Sequence, residues 1–215
     1  MEAVILAAGL SRRLGGGDKL LLPVGGEPVL ARTVRAVRAA LPTLPCTVVV
    51  PATGLVRELA ERLGVRVLLN PDAAEGVASS LRVAVRAAVS PPLLLFLGDQ
   101  PFLSPTGIRA VLDTARTSPG LSMAAPWYRD VPGHPVLLGD NIFPALLELT
   151  GDRGARSLWG SLPERARRRL VIDAEPPPDL DTQEDYQKLL NLVPESTDGT
   201  DRTDRTDGKG ELGDG

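Results

Sequence analysis

Ala3-Val4-Ile5-Leu6-Ala7-Ala8-Gly9-Leu10-Ser11-Arg12-Arg13-Leu14-Gly15-Gly16-Gly17-Asp18-Lys19 divides into an apolar run and a glycine-rich basic loop. Ala3 to Leu6 reads as a buried first strand. The loop that follows holds four glycines, two arginines, a serine and a lysine. Glycine lets the backbone approach a ligand closely and turn its N–H groups inward, and such a nest favours an anion. The arginines and Lys19 add full positive charge, so a polyphosphate is the natural guest. A strand that runs straight into such a loop marks an open α/β sheet, which binds ligands at the carboxyl ends of its strands. Two familiar phosphate loops do not fit. A Walker A loop needs Gly-Lys-Ser/Thr, whereas Lys19 stands between Asp18 and Leu20. The dinucleotide fingerprint needs Gly-x-Gly-x-x-Gly, whereas Gly15 is the next glycine after Gly9.

The rest of the first half alternates strand and helix. Thr47 to Val50, Val65 to Leu69 and Pro92 to Asp99 read as strands, the last fully buried and closed by Gly98 and a carboxylate. Helical spacing appears at Leu30, Val34, Val37 and Leu41, again at Leu55, Leu59 and Leu63 before Gly64, and from Gly76 to Val89. Such alternation predicts βαβ units and a mostly parallel sheet covered on both faces. The second half is more mixed. Helices are expected over Ile108–Ala115, Ile142–Leu149 and Thr182–Leu192, and strands over Leu121–Pro126, His134–Leu138 and Arg169–Asp173. Thr182 suits the last helix as its cap, with Asp185 in its first turn.

With 215 residues the chain is long enough for one large core, and with aromatics at 3% that core must be built from Leu, Val and Ala. From Pro194 onward seven acids and three bases give −4, so the net charge of −3 leaves residues 1–193 at +1. No large basic face is implied, which argues against nucleic acid as a partner. A single cysteine, Cys46, excludes an internal disulfide and disfavours a thiolate metal cluster. No apolar run approaches a membrane span, and the start lacks a signal peptide's pattern, so a cytoplasmic protein without membrane contact is expected. Two regions are expected: a domain over 1–193 and a disordered acidic tail over 194–215, whose repeated Thr-Asp-Arg units offer no hydrophobic face.

Three acidic or titratable positions stand out. Asp99, at the end of the strongest strand, faces the same crevice as the first loop, and hard oxygen ligands of this kind hold Mg²⁺. Ser104 and Pro105 are the better start for the next helix, which leaves Asp99 for another task. The run Asp179-Leu180-Asp181-Thr182-Gln183-Glu184-Asp185 is either a second metal ligand or the acidic start of a helix. His134, the only histidine, is either a turn residue or a hydrogen-bond partner for a phosphate or polar ring.

The first loop resembles the opening of the nucleotidyltransferases that attach a nucleotide to molybdopterin, whose pattern is Leu-Ala-Ala/Gly-Gly-x-Ser-x-Arg-Met-Gly followed by a lysine. Arg13 takes the arginine position, Leu14 replaces the methionine, and Lys19 takes the lysine position. Gly25-Gly26-Glu27-Pro28, Asn70-Pro71-Asp72, Gly98-Asp99-Gln100-Pro101, Gly133-His134-Pro135, Gly151 to Arg156 and Asp179 to Asp185 agree in order and spacing. The Gly-His-Pro and Asp-Leu-Asp-Thr segments, with the small Ala8, look like the cytidylyltransferase branch, whereas the Gly15 to Lys19 spacing resembles the guanylyltransferase version as much.

The resemblance implies a Rossmann-like three-layer α/β sandwich of the nucleotide-diphospho-sugar transferase type. It implies Arg13, Lys19 and Asp99 as catalytic residues, with Arg13 and Lys19 on the triphosphate. Asp99 and Asp181 would hold Mg²⁺, with Asp179 in reserve. Leu6, Ala7, Ala8, Gly9, Asn70, Gly76, Ser79 and Ser80 would hold base and ribose, and His134 would face the acceptor. The implied reaction moves CMP from CTP to the terminal phosphate of a molybdopterin-type acceptor, releasing pyrophosphate, with transient contact to a molybdenum enzyme or its chaperone. GTP in place of CTP, another small phosphate acceptor, and a non-catalytic nucleotide- or cofactor-binding delivery partner stay open at this point.

Overall fold

The structure is a computed structural model that describes residues 1–9 and 18–193. Arg13 and the tail from 194 lie outside the described residues. In chain order the strands are β1 (Glu2–Leu6), β2 (Pro23–Val24), β3 (Glu27–Pro28), β4 (Cys46–Pro51), β5 (Arg66–Asn70), β6 (Leu93–Leu97), β7 (Met123–Tyr128), β8 (Val131–Pro132), β9 (Val136–Leu138) and β10 (Arg167–Ile172). The helices are α1 (Val29–Ala40), α2 (Leu55–Arg62), α3 (Val77–Ala87), α4 (Pro105–Thr117), α5 (Phe143–Leu147) and α6 (Gln183–Asn191).

One sheet runs in the order β10-β7-β9-β6-β1-β4-β5, with β8 against β7, and β2 and β3 form a separate hairpin. The pairs β1–β4, β1–β6, β4–β5 and β7–β10 are parallel; β9 is antiparallel to both β6 and β7. The expected mostly parallel sheet is therefore present, with β9 as a reversed insert. The expected strand ends two residues further on, at Asp99; hydrogen-bonded pairing stops at Leu97, and Asp99 stands in the loop beyond it. The hairpin strands β2, β3 and β8 escaped periodicity because two residues are too few to show an alternation.

Alternation along the central strands divides the core into two layers. Ala3 and Ile5 of β1, with Leu94 and Phe96 of β6, pack beneath α1, α2, α4 and α6. Val4 and Leu6, with Leu93 and Leu95, pack beneath α3 and α5. Side chains of a strand point alternately to opposite faces, so a strand buried on both sides reads as an unbroken apolar run. The result is a three-layer sandwich. α4 begins as expected, with Ser104 Oγ accepting from Gly107 N and Pro105 in the first turn. α6 carries a capping box: the Thr182 hydroxyl accepts from Asp185 N while the Asp185 carboxylate accepts from Thr182 N. Among the described residues no helix is long and apolar enough to cross a membrane.

The strand order reverses at β1, which has β4 on one side and β6 on the other. A crevice opens outside the carboxyl ends of strands at such a switch point. Ala7 to Gly9, just beyond β1, therefore face the chain just beyond β6.

Candidate functional site

A cavity of about 660 Å³ lies at this switch point. Its floor is Leu6, Ala7, Ala8 and Gly9 from the end of β1 and Leu97 and Asp99 from the end of β6. One wall is Ala73 to Val77 and Ser80, around the start of α3; Lys19, Leu20, Asp152 and Asp181 complete the lining.

Lys19 is the centre of the charge arrangement. Its Nζ donates to Asp99 Oδ2 at 2.5 Å and to Asp181 Oδ1 at 2.8 Å, joining groups 80 and 162 residues away in sequence. Burial alone would lower the lysine pKa, but the two carboxylates more than reverse it, so the ammonium is held above its ordinary value. The backbone carrying Lys19 is fixed by Asp18, whose carboxylate accepts from Leu20 N and whose carbonyl accepts from Leu21 N.

Local packing explains how the carboxylates converge. Gly98 N donates to Leu6 O, and Thr33 on α1, fully buried, donates its hydroxyl to Gly98 O at 2.9 Å. Leu180, also fully buried, donates its N–H to Asp99 O at 3.2 Å, which draws the Asp179–Asp181 segment over the β6 loop. With Leu180 anchored inward, its two neighbours are left to flank the cleft. Asp181 reaches Lys19, whereas Asp179 accepts from Gln100 Nε2 at 2.6 Å. Desolvation of that carboxyl, followed by repulsion from Asp99 and Asp181, raises the pKa of Asp179.

Asp99 Oδ1 is buried and, among the described residues, has no hydrogen-bond partner. An unsatisfied carboxylate oxygen is costly unless a cation or donor meets it. Lys19 stands where a cation between Asp99 and Asp181 would be stabilised, so this donor set fits a hard divalent ion. Among the described residues no group of three or more His, Cys, Asp or Glu side chains is arranged around a metal position, so Asp99 and Asp181 would leave most of the coordination sphere of such an ion to other oxygens.

The other expected residues separate into two groups. Leu6 to Gly9, Gly76 and Ser80 line the cavity. Asn70 and Ser79 do not. Asn70 is buried and donates its amide to Ser79 Oγ and Ser80 Oγ, while the Ser79 hydroxyl donates to Gly76 O. They brace the turn into α3 from behind. His134 is also buried, and its Nε2 meets Arg156 Nη2 at 3.2 Å. A guanidinium only donates, so Nε2 accepts and Nδ1 carries the proton. Arg156 Nη1 also donates to Pro132 O at 2.7 Å. The partly exposed guanidinium, and not the imidazole, is the group that reaches toward Asp179.

Sequence reasoning missed Glu75 and Asp152 as cleft residues and gave Arg156 no role. Asp152 arrives from a loop 75 residues beyond α3's first residue, docked by Ala78 N donating to Gly151 O. Only the Gly151-Asp152 turn signal was available, and a turn does not say where it lands.

Burial, and then the Arg156 charge, lower the His134 pKa to about 3. The unfolded chain therefore takes up this proton first. The contribution of neutral His134 is full above its ordinary pKa of about 6.5 and is lost as pH falls toward 3. At pH 5 the expected loss is about 2 kcal/mol. Urea unfolding at pH 7 and pH 5 measures it, provided His134→Gln shows a correspondingly smaller drop; an equal drop in both proteins would assign the loss to other groups.

The three-layer sandwich thus carries, at its switch point, a lysine held between two carboxylates. The chain belongs to the MobA-like NTP transferase domain family, whose model matches residues 3–166. It is 31% identical over 202 residues to nicotine blue oxidoreductase of Paenarthrobacter nicotinovorans, covering 88% of this chain and 96% of that one. It is 26% identical over 192 residues to molybdenum cofactor cytidylyltransferase of Escherichia coli strain K12, covering 86% and 93%. Among solved structures, a Mycobacterium tuberculosis H37Rv protein in complex with manganese matches with a TM-score of 0.70 and 27% identity, over 89% of this chain and 98% of that one.

Proposed function

We propose that this enzyme transfers CMP from CTP to the terminal phosphate of a molybdopterin-type acceptor with release of pyrophosphate. The observation that carries the reading is the Lys19 ammonium bonded to Asp99 and Asp181 on the floor of the switch-point cleft. The likeness to a cytidylyltransferase of the molybdenum cofactor supports the choice of base and acceptor.

The acceptor phosphate oxygen attacks the α-phosphorus of CTP. A new P–O bond forms as the bond to the β-phosphate oxygen breaks, and pyrophosphate departs opposite the attacking oxygen. A phosphate monoester is already ionised near neutral pH, so no strong general base is required. The protein must hold two anions in line and offset their repulsion. Ala7 to Gly9 and the Gly76–Ser80 turn hold base and ribose between β1 and α3, braced by Asn70 and Ser79. Lys19, with Arg13, takes up charge as pyrophosphate leaves. Mg²⁺ held by Asp99 and Asp181 would supply Lewis-acid neutralisation of phosphate oxygens. On the acceptor side His134 acts through Arg156: the neutral imidazole accepts one guanidinium N–H and so fixes a cation that an acceptor phosphate can pair with.

The likeness to nicotine blue oxidoreductase supplies a second reading, an oxidoreductase activity in the same cleft. Placing a lysine between two carboxylates serves phosphoryl chemistry better, because hydride transfer makes no use of a divalent-cation position.

Pyrophosphate release separates these readings. With molybdopterin and Mg²⁺, release with CTP alone among the four nucleoside triphosphates is the expected result. Preference for GTP would move the enzyme to guanylyl transfer. Silence with all four, despite nucleotide binding, would overturn transfer to molybdopterin: either the acceptor is another molecule or the protein only binds.

A further inference from the structure

The Lys19 ammonium bonds both carboxylates proposed as metal ligands. The side chains of Lys19 and Asp99 are only 16% and 17% exposed, so the contact is largely shielded from water. A divalent ion bridging these carboxylates would stand about 2.1 Å from their oxygens. Nζ lies 2.5 and 2.8 Å from the same two oxygens. An ion on these two oxygens and the ammonium would compete for the same carboxylate lone pairs and repel each other.

We infer that the Lys19 ammonium occupies the divalent-cation position until a triphosphate draws it away, so that metal and nucleotide enter the cleft together. The inference rests on the nucleotidyl-transfer reading only in taking a triphosphate as the ligand. Two independent features support it. First, the described residues form no cluster of three or more His, Cys, Asp or Glu side chains there, so a lone ion gains few side-chain ligands with which to displace an internal cation. Second, the backbone at Lys19 is pinned by Asp18 while the lysine carries a flexible four-carbon stem, so the ammonium can change partners without moving the loop. A triphosphate reverses the balance at one stroke. It offers Lys19 a new set of anionic oxygens and gives the metal the ligands that the protein lacks. Linkage then requires each of the two to raise the affinity of the other by the same factor.

Mn²⁺ binding tests this without acceptor and without turnover. Free Mn²⁺ is followed by its electron paramagnetic resonance signal in the wild type, Lys19→Ala, Lys19→Met, Lys19→Arg and the double variant Lys19→Ala/Asp99→Asn. The wild type and Lys19→Arg are expected to bind Mn²⁺ weakly alone, and the wild type at least about tenfold more tightly with the α,β-methylene analogue of CTP. Removing one positive charge a few ångströms from a divalent ion should make Lys19→Ala and Lys19→Met bind Mn²⁺ alone at least about tenfold more tightly than the wild type. Adding Asp99→Asn should abolish that gain. Equal Mn²⁺ affinity in the wild type and both uncharged variants, or a gain that survives Asp99→Asn, would overturn the inference. Lys19→Met keeps the apolar stem and so separates loss of charge from loss of packing. If pyrophosphate release fails with every nucleotide while Mn²⁺ binding follows the expected order, the transfer reading falls and this one stands. If pyrophosphate is released while the Mn²⁺ affinities are equal, the reverse holds.

Discussion

Lys19→Ala is expected to lower the rate of pyrophosphate release by about 10²–10³-fold while leaving the protein folded. The loss arises because the ammonium is aimed at charge that develops as the bond to the β-phosphate oxygen breaks. A preorganised donor in a cleft shielded from water contributes more to that transition state than it would in bulk solvent. Stability should change little. The variant leaves Asp99 and Asp181 facing each other, but the Asp181 side chain is 52% exposed, so solvent screens most of the repulsion. Tighter Mn²⁺ binding does not compensate, since it strengthens the ground-state complex without restoring charge on the leaving pyrophosphate. The check is initial-rate pyrophosphate release at saturating CTP, beside a thermal unfolding curve. Near-normal turnover would remove Lys19 from the mechanism.

Gly76→Ala should be the most damaging single methyl in the cleft. Gly76 has φ +101° and ψ −175°, a region that costs a residue with a side chain about 1–3 kcal/mol. Its Cβ would stand 2.5 Å from Asp152 Oδ1 and 2.6 Å from the Gly151 carbonyl. Asp152 can rotate; the Gly151 backbone, bonded to Ala78 N, cannot move without releasing the docked loop. Strain and overlap together are expected to cost about 3 kcal/mol, with at least a tenfold loss of CTP affinity as the Ala73–Val77 wall shifts. Gly120→Ala provides the comparison, because Gly120 has φ +88° with nothing within 4 Å of its added Cβ. Urea unfolding and CTP titration of both variants separate backbone strain from collision. Equal destabilisation with unchanged CTP binding would mean that the two loops do not brace each other.

The parts of this enzyme legible in its sequence are those that depend on neighbours in the chain. Ala3 to Leu6 and Leu93 to Leu97 are apolar throughout because both faces of the sheet are covered, and a run of that kind signals itself. Ser104-Pro105 and Thr182 with Asp185 mark helix starts for equally local reasons, each hydroxyl capping an N–H three residues on. Lys19 and Asp99 were visible as well, since a loop leaving a parallel strand has one end of the sheet to face. Strand direction was not: nothing in Val136 to Leu138 distinguishes an antiparallel insert from one more parallel strand, since pairing partners are chosen across the sheet. Nor does the sequence decide between Asp179 and Asp181, which flank Leu180 symmetrically. Burial of Leu180 and its N–H bond to Asp99 O turn one carboxylate to Lys19 and the other to Gln100. Asn70, Ser79 and His134, polar residues at suggestive places, do not line the cavity, and each is already bonded within the protein. Local pattern thus set the layers and the end of the sheet where chemistry occurs. Which side chains meet there was left to contacts between segments distant in sequence, where a buried leucine or a paired amide outweighs any local preference.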